Sequence, residues 1–256
     1  MQKQTTYKLK NRQKEIINQL LRFRYLTRPQ IQTLLNHKYK EKVIEWLNEL
    51  TKERFVFRIY EKEFRAKPSE YCLDKSSISY LRENGIEARL LKRVYAEKNL
   101  SQTFRNHSKL IASIYLSLEK LVKETKATLH FYTQTDLYKI ENLINPPVDA
   151  YFAIVEEDKT TKTYFLEVFD PLPPRMHLKG RIREYFEYFK SELWQEHTGK
   201  DFPEVIFVAP DQSSKKYLMR KIREKLGSED TPIFYLLTWE EIETTGINRD
   251  TLNKVE

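Results

Sequence analysis

The stretch VDAYFAIVEEDKTTKTYFLEVFD, residues 148–170, decides the fold of the chain around it. Two runs rich in β-branched and aromatic residues, Val148–Val155 and Tyr164–Phe169, flank the polar segment Glu156–Lys162. That pattern predicts two antiparallel strands joined by a charged hairpin turn. Asp149 opens the first strand and Glu167 lies near the end of the second, so pairing across so short a turn brings the two carboxylates together. Such a pair at the mouth of a sheet suits a hard divalent cation, Mg²⁺ first, of the kind that activates water against a phosphodiester. Ahead of the first strand, Pro146 and Pro147 fix its entry, since neither can donate to a ladder.

Working outward, Asp170–Pro174 reads as a proline-stiffened loop, and a helix follows. Leu178, Ile182, Tyr185, Phe186, Phe189 and Leu193 form its buried stripe, with Lys179, Arg181, Arg183 and Lys190 assigned to the opposite face. Val205–Val208 and Ile233–Leu237 read as buried strands separated by an amphipathic helix over Tyr217–Leu226. Strand, helix, strand, helix, strand in that order implies parallel strands extending the hairpin, covered by helices. Upstream, Leu129–Thr133 reads as a further strand and Gln134–Ile140 as a helical turn. A long helix over Ser101–Lys123 aligns Leu110, Ile111, Ile114, Leu118 and Leu121; it enters the second domain, and the same stripe would fit a dimer seam. His107, one turn ahead of that stripe, reads as structural.

The N-terminal part has a different character. Residues 11–23 place Ile16, Ile17, Leu20, Leu21 and Phe23 on one side of a helix. Thr27 then caps a short second helix with Pro29 in its first turn and Ile31, Leu34 and Leu35 on its buried side. A third helix carries Tyr39, Val43, Trp46, Leu47 and Leu50 on one face and Lys38, Lys40, Lys42, Glu45 and Glu49 on the other. Phe55–Tyr60 and Tyr71–Leu73 form a hairpin across the charged segment Glu61–Glu70. Residues 74–100 show short apolar runs, Ser77–Leu81 and Ile86–Leu91, broken at Gly85. Three short helices followed by a two-stranded wing are the layout of a winged helix-turn-helix, whose third helix enters the major groove while the wing tracks the backbone. Arg28, Lys38, Lys40 and Lys42 are the candidate groove residues, and Arg58, Lys62, Arg65 and Lys67 are candidate phosphate contacts of the wing.

Charge supports this division. The chain has a net charge of +8, but residues 1–100 hold 23 Lys and Arg against 12 Asp and Glu, leaving the remainder mildly acidic. A basic module beside an acidic domain is a footprint of polyanion binding. One cysteine, Cys72, excludes an internal disulfide and fits a reducing cytoplasm. No apolar run approaches membrane-spanning length, so no membrane partner is expected. No glycine-rich phosphate loop and no Cys/His zinc spacing occur.

These residues, taken in order, resemble the replication-relaxation family of bacterial plasmids, phages and integrative elements. The resemblance is carried by Leu26-Thr27-Arg28-Pro29-Gln30-Ile31, His107, Pro147-Val148-Asp149-Ala150-Tyr151-Phe152, Phe165-Leu166-Glu167-Val168 with the Arg181–Tyr188 helix, and Phe202-Pro203-Glu204-Val205-Ile206-Phe207-Val208. It implies an α/β (α+β overall) protein: a winged helix-turn-helix DNA-binding domain over residues 1–100, then a restriction-endonuclease-like mixed sheet with a leading helix over 101–256. It further implies a role in element replication or transfer. In nucleases of that fold a lysine follows the second acid by two residues, and here that place holds Phe169. The family pattern commonly has an aspartate there instead, and the next acid, Asp170, should point to the opposite face.

Three readings follow. The first is a duplex-DNA-binding protein whose nuclease-like domain has lost catalysis and serves as a clamp or a platform for replication or transfer proteins. The second is a metal-dependent endonuclease using Asp149 and Glu167, with Lys179 or Arg175 replacing the missing cation. The third is a dimeric repressor. A guanidinium or ammonium between Asp149 and Glu167 would favour the second, and a closed apolar wall would favour the first.

Overall fold

The structure is a computed structural model describing residues 7–60, 67–140, 143–144, 147–227, 230–248, 251–252 and 254–256. The chain divides into two compact units, Met1–Ala112 and Ser113–Glu256.

In the first unit, α1 (Asn11–Phe23), β1 (Leu26–Thr27), α2 (Arg28–Leu34) and α3 (Lys40–Lys52) precede β2 (Val56–Ile59) and β3 (Glu70–Leu73). The buried side of α1 is formed by Ile16, Ile17, Leu20, Leu21 and Phe23, as its periodicity predicts. Thr27 caps α2 in a capping box with Gln30, and Pro29 sits in the first turn. Val43, Leu47 and Leu50 are buried on α3. Tyr39, expected on that stripe, is instead 59% exposed because it precedes the helix as its N-cap residue. Strands β2 and β3 pair antiparallel, and β1 adds to the far edge of β3 through Leu26↔Tyr71. That two-residue strand is too short to leave a periodic signal. The run over 74–100 resolves into α4 (Lys75–Glu83) and α5 (Ala88–Ala96), with Gly85 between them at φ +85°.

The helix α6 (Gln102–Thr125) spans the division. Its first half belongs with the N-terminal unit: Arg105 and Lys109 both pair with Glu70 of β3, and Gln30 donates to the Lys109 carbonyl at 2.8 Å. The division therefore falls inside α6, about a dozen residues past the expected start of the second domain.

The second unit is built on a five-stranded sheet in the order β4 (Thr128–Thr133), β5 (Ala150–Val155), β6 (Thr161–Val168), β7 (Glu204–Ala209), β8 (Phe234–Thr238). The first three strands are mutually antiparallel and the last two join in parallel. The expected hairpin is present with a shorter turn, since β6 starts at Thr161, opposite Val155, and the Glu156 amide closes the loop onto the Thr160 carbonyl at 2.9 Å. Helices α7 (Arg175–Lys190), α8 (Leu193–Thr198) and α9 (Gln212–Arg223) carry the crossovers, and α10 (Trp239–Thr245) follows β8.

Side-chain alternation splits the sheet into two faces. Tyr151, Phe165, Phe169, Val205, Phe207, Phe234 and Leu236 share one core with Leu178, Ile182, Tyr185 and Phe186 of α7 and with Leu218 and Ile222 of α9. On the other face Phe131, Phe152 and Tyr164 stack in series, with Tyr115 of α6 edge-on to Phe131 at 5.2 Å. Full burial of such a side chain contributes roughly 1.5–3 kcal/mol, so both faces hold the sheet rigidly.

Candidate functional site

The β5–β6 ladder ends with Ala150 opposite Leu166, and beyond it the regular register stops, because the Asp149 amide turns back to the Leu166 carbonyl. Asp149 closes the hairpin: its amide donates to the Leu166 carbonyl at 3.1 Å, and its Oδ2 accepts from the Val168 amide at 2.7 Å. The two acids are near enough for the Asp149 charge to act on the Glu167 carboxyl.

What meets them was not predicted. Arg181 Nη2 donates to Glu167 Oε2 at 2.7 Å, and the Tyr185 hydroxyl donates to the same oxygen at 3.0 Å. The other terminal nitrogen of Arg181 donates to Glu184 Oε2 at 3.0 Å. Arg181 is only 1% exposed, and its guanidinium carbon lies 5.0 Å from the centre of the Tyr185 ring. Its Nε is buried without a hydrogen-bond partner, which adds to the cost of placing a charge inside the core.

The sequence reading put Arg181 on the solvent face of its helix, and the structure corrects this. Arg181 lies three residues after Leu178 and four before Tyr185, which is the buried stripe itself. Its charge disguised its position. Lys179 and Arg175, the candidate replacement cations of an active site, are both exposed. Lys179 precedes Arg181 by two residues, about 200° around the helix, and the Arg175 guanidinium lies over the Tyr217 ring at 5.3 Å.

Phe169 forms the wall that its apolar character implies. It is buried on the Glu167 face, edge-on to Phe207 at 5.2 Å, with its amide donating to Val208 and its carbonyl accepting from the Trp239 indole at 3.0 Å. Asp170 is exposed beyond the strand end.

Burial pushes the Glu167 carboxyl up, to about 7; the Arg181 guanidinium pulls it back down and the nearby Asp149 charge adds to the rise. Burial and the Glu167 charge together hold the Tyr185 phenol well above its ordinary range. For Arg181 burial opposes the charge, and the adjacent carboxylate more than offsets it.

The folded state therefore binds the Glu167 proton more tightly than the unfolded chain. This contribution to stability is complete below about pH 4.5 and is lost as pH rises through about 7. Glu167→Gln abolishes that titration. The stability of the variant relative to the native chain is expected to improve by on the order of 2–3 kcal/mol between pH 4.5 and 8, measured as paired urea unfolding curves. A constant difference across that range would contradict the raised carboxyl.

The donor set does not fit a divalent cation well. Mg²⁺ would draw one or two carboxylates and complete its shell with water and phosphate oxygens. Here one oxygen of Glu167 already takes two donors, and one of them places positive charge where the ion would sit. No group of three or more His, Cys, Asp and Glu gathers among the described residues.

In the N-terminal unit, three of the candidate DNA residues, Arg28, Lys38 and Lys40, line a cleft of about 730 Å³ between α2 and the start of α3, together with Gln32, His37 and Tyr39. Lys38, Lys40 and Lys42 are exposed, and α3 begins without a side-chain cap. Lys42 shares its charge with Glu45 at 2.8 Å in an exposed pair that contributes little. Arg28 is half-buried and donates to Gln32 at 2.8 Å. On the hairpin, Arg58 and Lys67 are exposed, with Arg58 donating to Ser69 at 3.0 Å. Lys62 and Arg65 lie outside the described residues.

A family model described as Replication-relaxation matches residues 17–205, well over half of the chain. The chain belongs to the replication-relaxation family. In this replication-relaxation protein the matched stretch runs from α1 into β7, taking in both the basic cleft and the carboxylate pair. Curated proteins offer no match. A solved structure of the restriction endonuclease FokI is similar with a TM-score of 0.36 and 11% identity, covering 94% of this chain and 46% of that one. The chain thus spans about half the length of that enzyme chain. Among the described residues, no helix is long and apolar enough to cross a membrane.

Proposed function

We propose that this chain is a duplex-DNA-binding protein of a mobile genetic element that acts in initiation of replication or transfer. In this reading residues up to α5 form a winged helix-turn-helix, with α3 in the major groove and the β2–β3 hairpin along the backbone. The C-terminal, restriction-endonuclease-like unit hydrolyses nothing in this reading. The observation that carries the reading is the exposed array of Lys38, Lys40, Lys42 and Arg58 on a helix–helix–hairpin frame whose core residues Ile31, Val43, Leu47, Leu50 and Val56 are buried. Free of packing duties, these cations are available for groove and phosphate contacts. The test is binding of the full chain to a short duplex over a series of salt concentrations. Affinity is expected to fall steeply with salt, by about 0.9 in the logarithmic slope for each neutralised phosphate. A protein that shifts no duplex at low ionic strength would overturn the proposal.

A second reading, a metal-dependent endonuclease, draws support from the guanidinium beside Glu167. Against it, Arg181 is sealed from solvent and both of its terminal nitrogens are engaged, so it has no free donor for a scissile phosphate.

A further inference from the structure

The mildly acidic total for residues beyond 100 hides a local concentration of positive charge. Helix α9 carries Lys215, Lys216, Arg220, Lys221 and Arg223 and no acid between Gln212 and Arg223. Along the neighbouring α7, Arg175, Lys179 and Arg183 recur every four residues, on one side of the helix at steps of about 6 Å. The two rows meet at Tyr217, whose ring receives the Arg175 guanidinium at 5.3 Å and the Arg220 guanidinium at 5.5 Å. Two like charges on one ring repel each other, and an anion between them would relieve the repulsion.

The acids on this face are few. Arg183 lies 3.5 Å from Glu187, and Glu224 is shared by Lys221 and Arg220. Lys215 pairs with Glu241 at 2.7 Å and the Lys179 charge acts on Glu224, whereas Arg175 and Lys216 make no ion pair among the described residues. Both helices bury their apolar stripes against the sheet, through Leu178, Ile182 and Tyr185 and through Leu218 and Ile222. What remains outward is a rigid, charged surface with cations at regular intervals.

We propose that the α7–α9 face of the C-terminal unit is a second duplex-DNA contact, in which Arg175, Lys179, Lys216 and Arg220 neutralise phosphates independently of the carboxylate pair. Regular helical spacing matches an anion of fixed repeat, and arginines already stacked on an aromatic ring present planar forks to phosphate oxygens. With their apolar stripes buried against the sheet, the two helices leave Met176, in the first turn of α7, as the strongly exposed large apolar side chain on them among the described residues. Leu172 and Met176, 91% and 86% exposed beside Arg175, would nonetheless suit an anionic membrane surface, so vesicles form one arm of the test.

The inference rests on the reading of the chain as a DNA-binding protein, and the experiment separates the two. Full-length native protein and the variant Arg175→Ala/Lys179→Ala/Lys216→Ala/Arg220→Ala are titrated with a short duplex by fluorescence anisotropy across a salt series. A charge-preserving variant, Arg175→Lys/Lys179→Arg/Lys216→Arg/Arg220→Lys, serves as control, and unfolding curves check that all three are folded. The quadruple alanine variant is expected to lose about 3–4 units of logarithmic salt slope and to bind at least about tenfold more weakly, while the charge-preserving variant keeps the native slope. Native binding with an unchanged slope in the alanine variant would overturn this inference and leave the N-terminal reading standing. Absence of native binding would overturn both. Native binding to phosphatidylserine-containing vesicles that is lost in the alanine variant, with DNA binding unaltered, would overturn it in favour of a lipid surface.

Discussion

Replacing Arg181 by alanine is expected to destabilise the C-terminal unit by about 3–5 kcal/mol, the usual consequence of removing one member of a buried ion pair. The Glu167 carboxylate, 14% exposed at the edge of the Phe165, Phe169, Tyr185 and Phe207 core, would lose its guanidinium. Glu184 would lose its partner as well. The change separates charge from packing when compared with Arg181→Met/Glu167→Gln. A buried pair replaced by uncharged groups of similar volume often leaves stability nearly unchanged. The double variant is therefore expected to recover most of the loss, and urea unfolding of the native chain, Arg181→Met, Glu167→Gln and the double closes the cycle. An Arg181→Ala protein with the native unfolding midpoint would mean that the ion pair does not exist in solution.

The second large effect concerns DNA. Lys38→Ala/Lys40→Ala/Lys42→Ala is expected to lower duplex affinity by roughly ten- to a hundredfold at moderate salt and to reduce the logarithmic salt slope by about 3. If one of these lysines reads a base edge, preference at a single position should relax in the corresponding single variant. A lysine on phosphate should instead weaken all sequences alike. The measurement is anisotropy with a set of duplexes against the native chain. Unchanged affinity would take α3 out of the groove and turn attention to Arg58 and Lys67.

The strands around Asp149 and Glu167 were legible because a short turn and a period of two leave little freedom: a one-residue slip would have turned Phe165 and Tyr151 out of the core. Thr27, Pro29 and Gln30 announced the start of α2 through local hydrogen-bonding chemistry, which needs no tertiary context. Arg181 was misplaced for the opposite reason. Hydrophobic periodicity assigns faces by polarity, and a buried charge is justified only by partners far away in sequence, here Glu167 on a strand that the helix has yet to meet. The positional signal existed, since Leu178, Arg181 and Tyr185 follow the three-and-four spacing of one stripe, but it contradicted the polarity signal. The basic face on α7 and α9 was hidden differently: summing charge over a whole domain averaged α9 against acids elsewhere. The β1 strand and the position of the division inside α6 depend on contacts with Tyr71 and Glu70 that no local window contains.

We propose that Asp149 and Glu167 close a hairpin and anchor a buried arginine rather than cleave DNA. Glu167 is braced by Arg181 and Tyr185, Asp149 holds the Val168 amide, and Phe169, two residues beyond Glu167, is buried edge-on to Phe207. The most direct measurement is incubation of supercoiled plasmid with the purified full-length protein and with Asp149→Asn/Glu167→Gln, each in Mg²⁺ and in Mn²⁺. The account predicts no nicking or linearisation above buffer by either protein, with duplex binding nearly equal in the two. Nicking by the native chain that the double variant abolishes would contradict it.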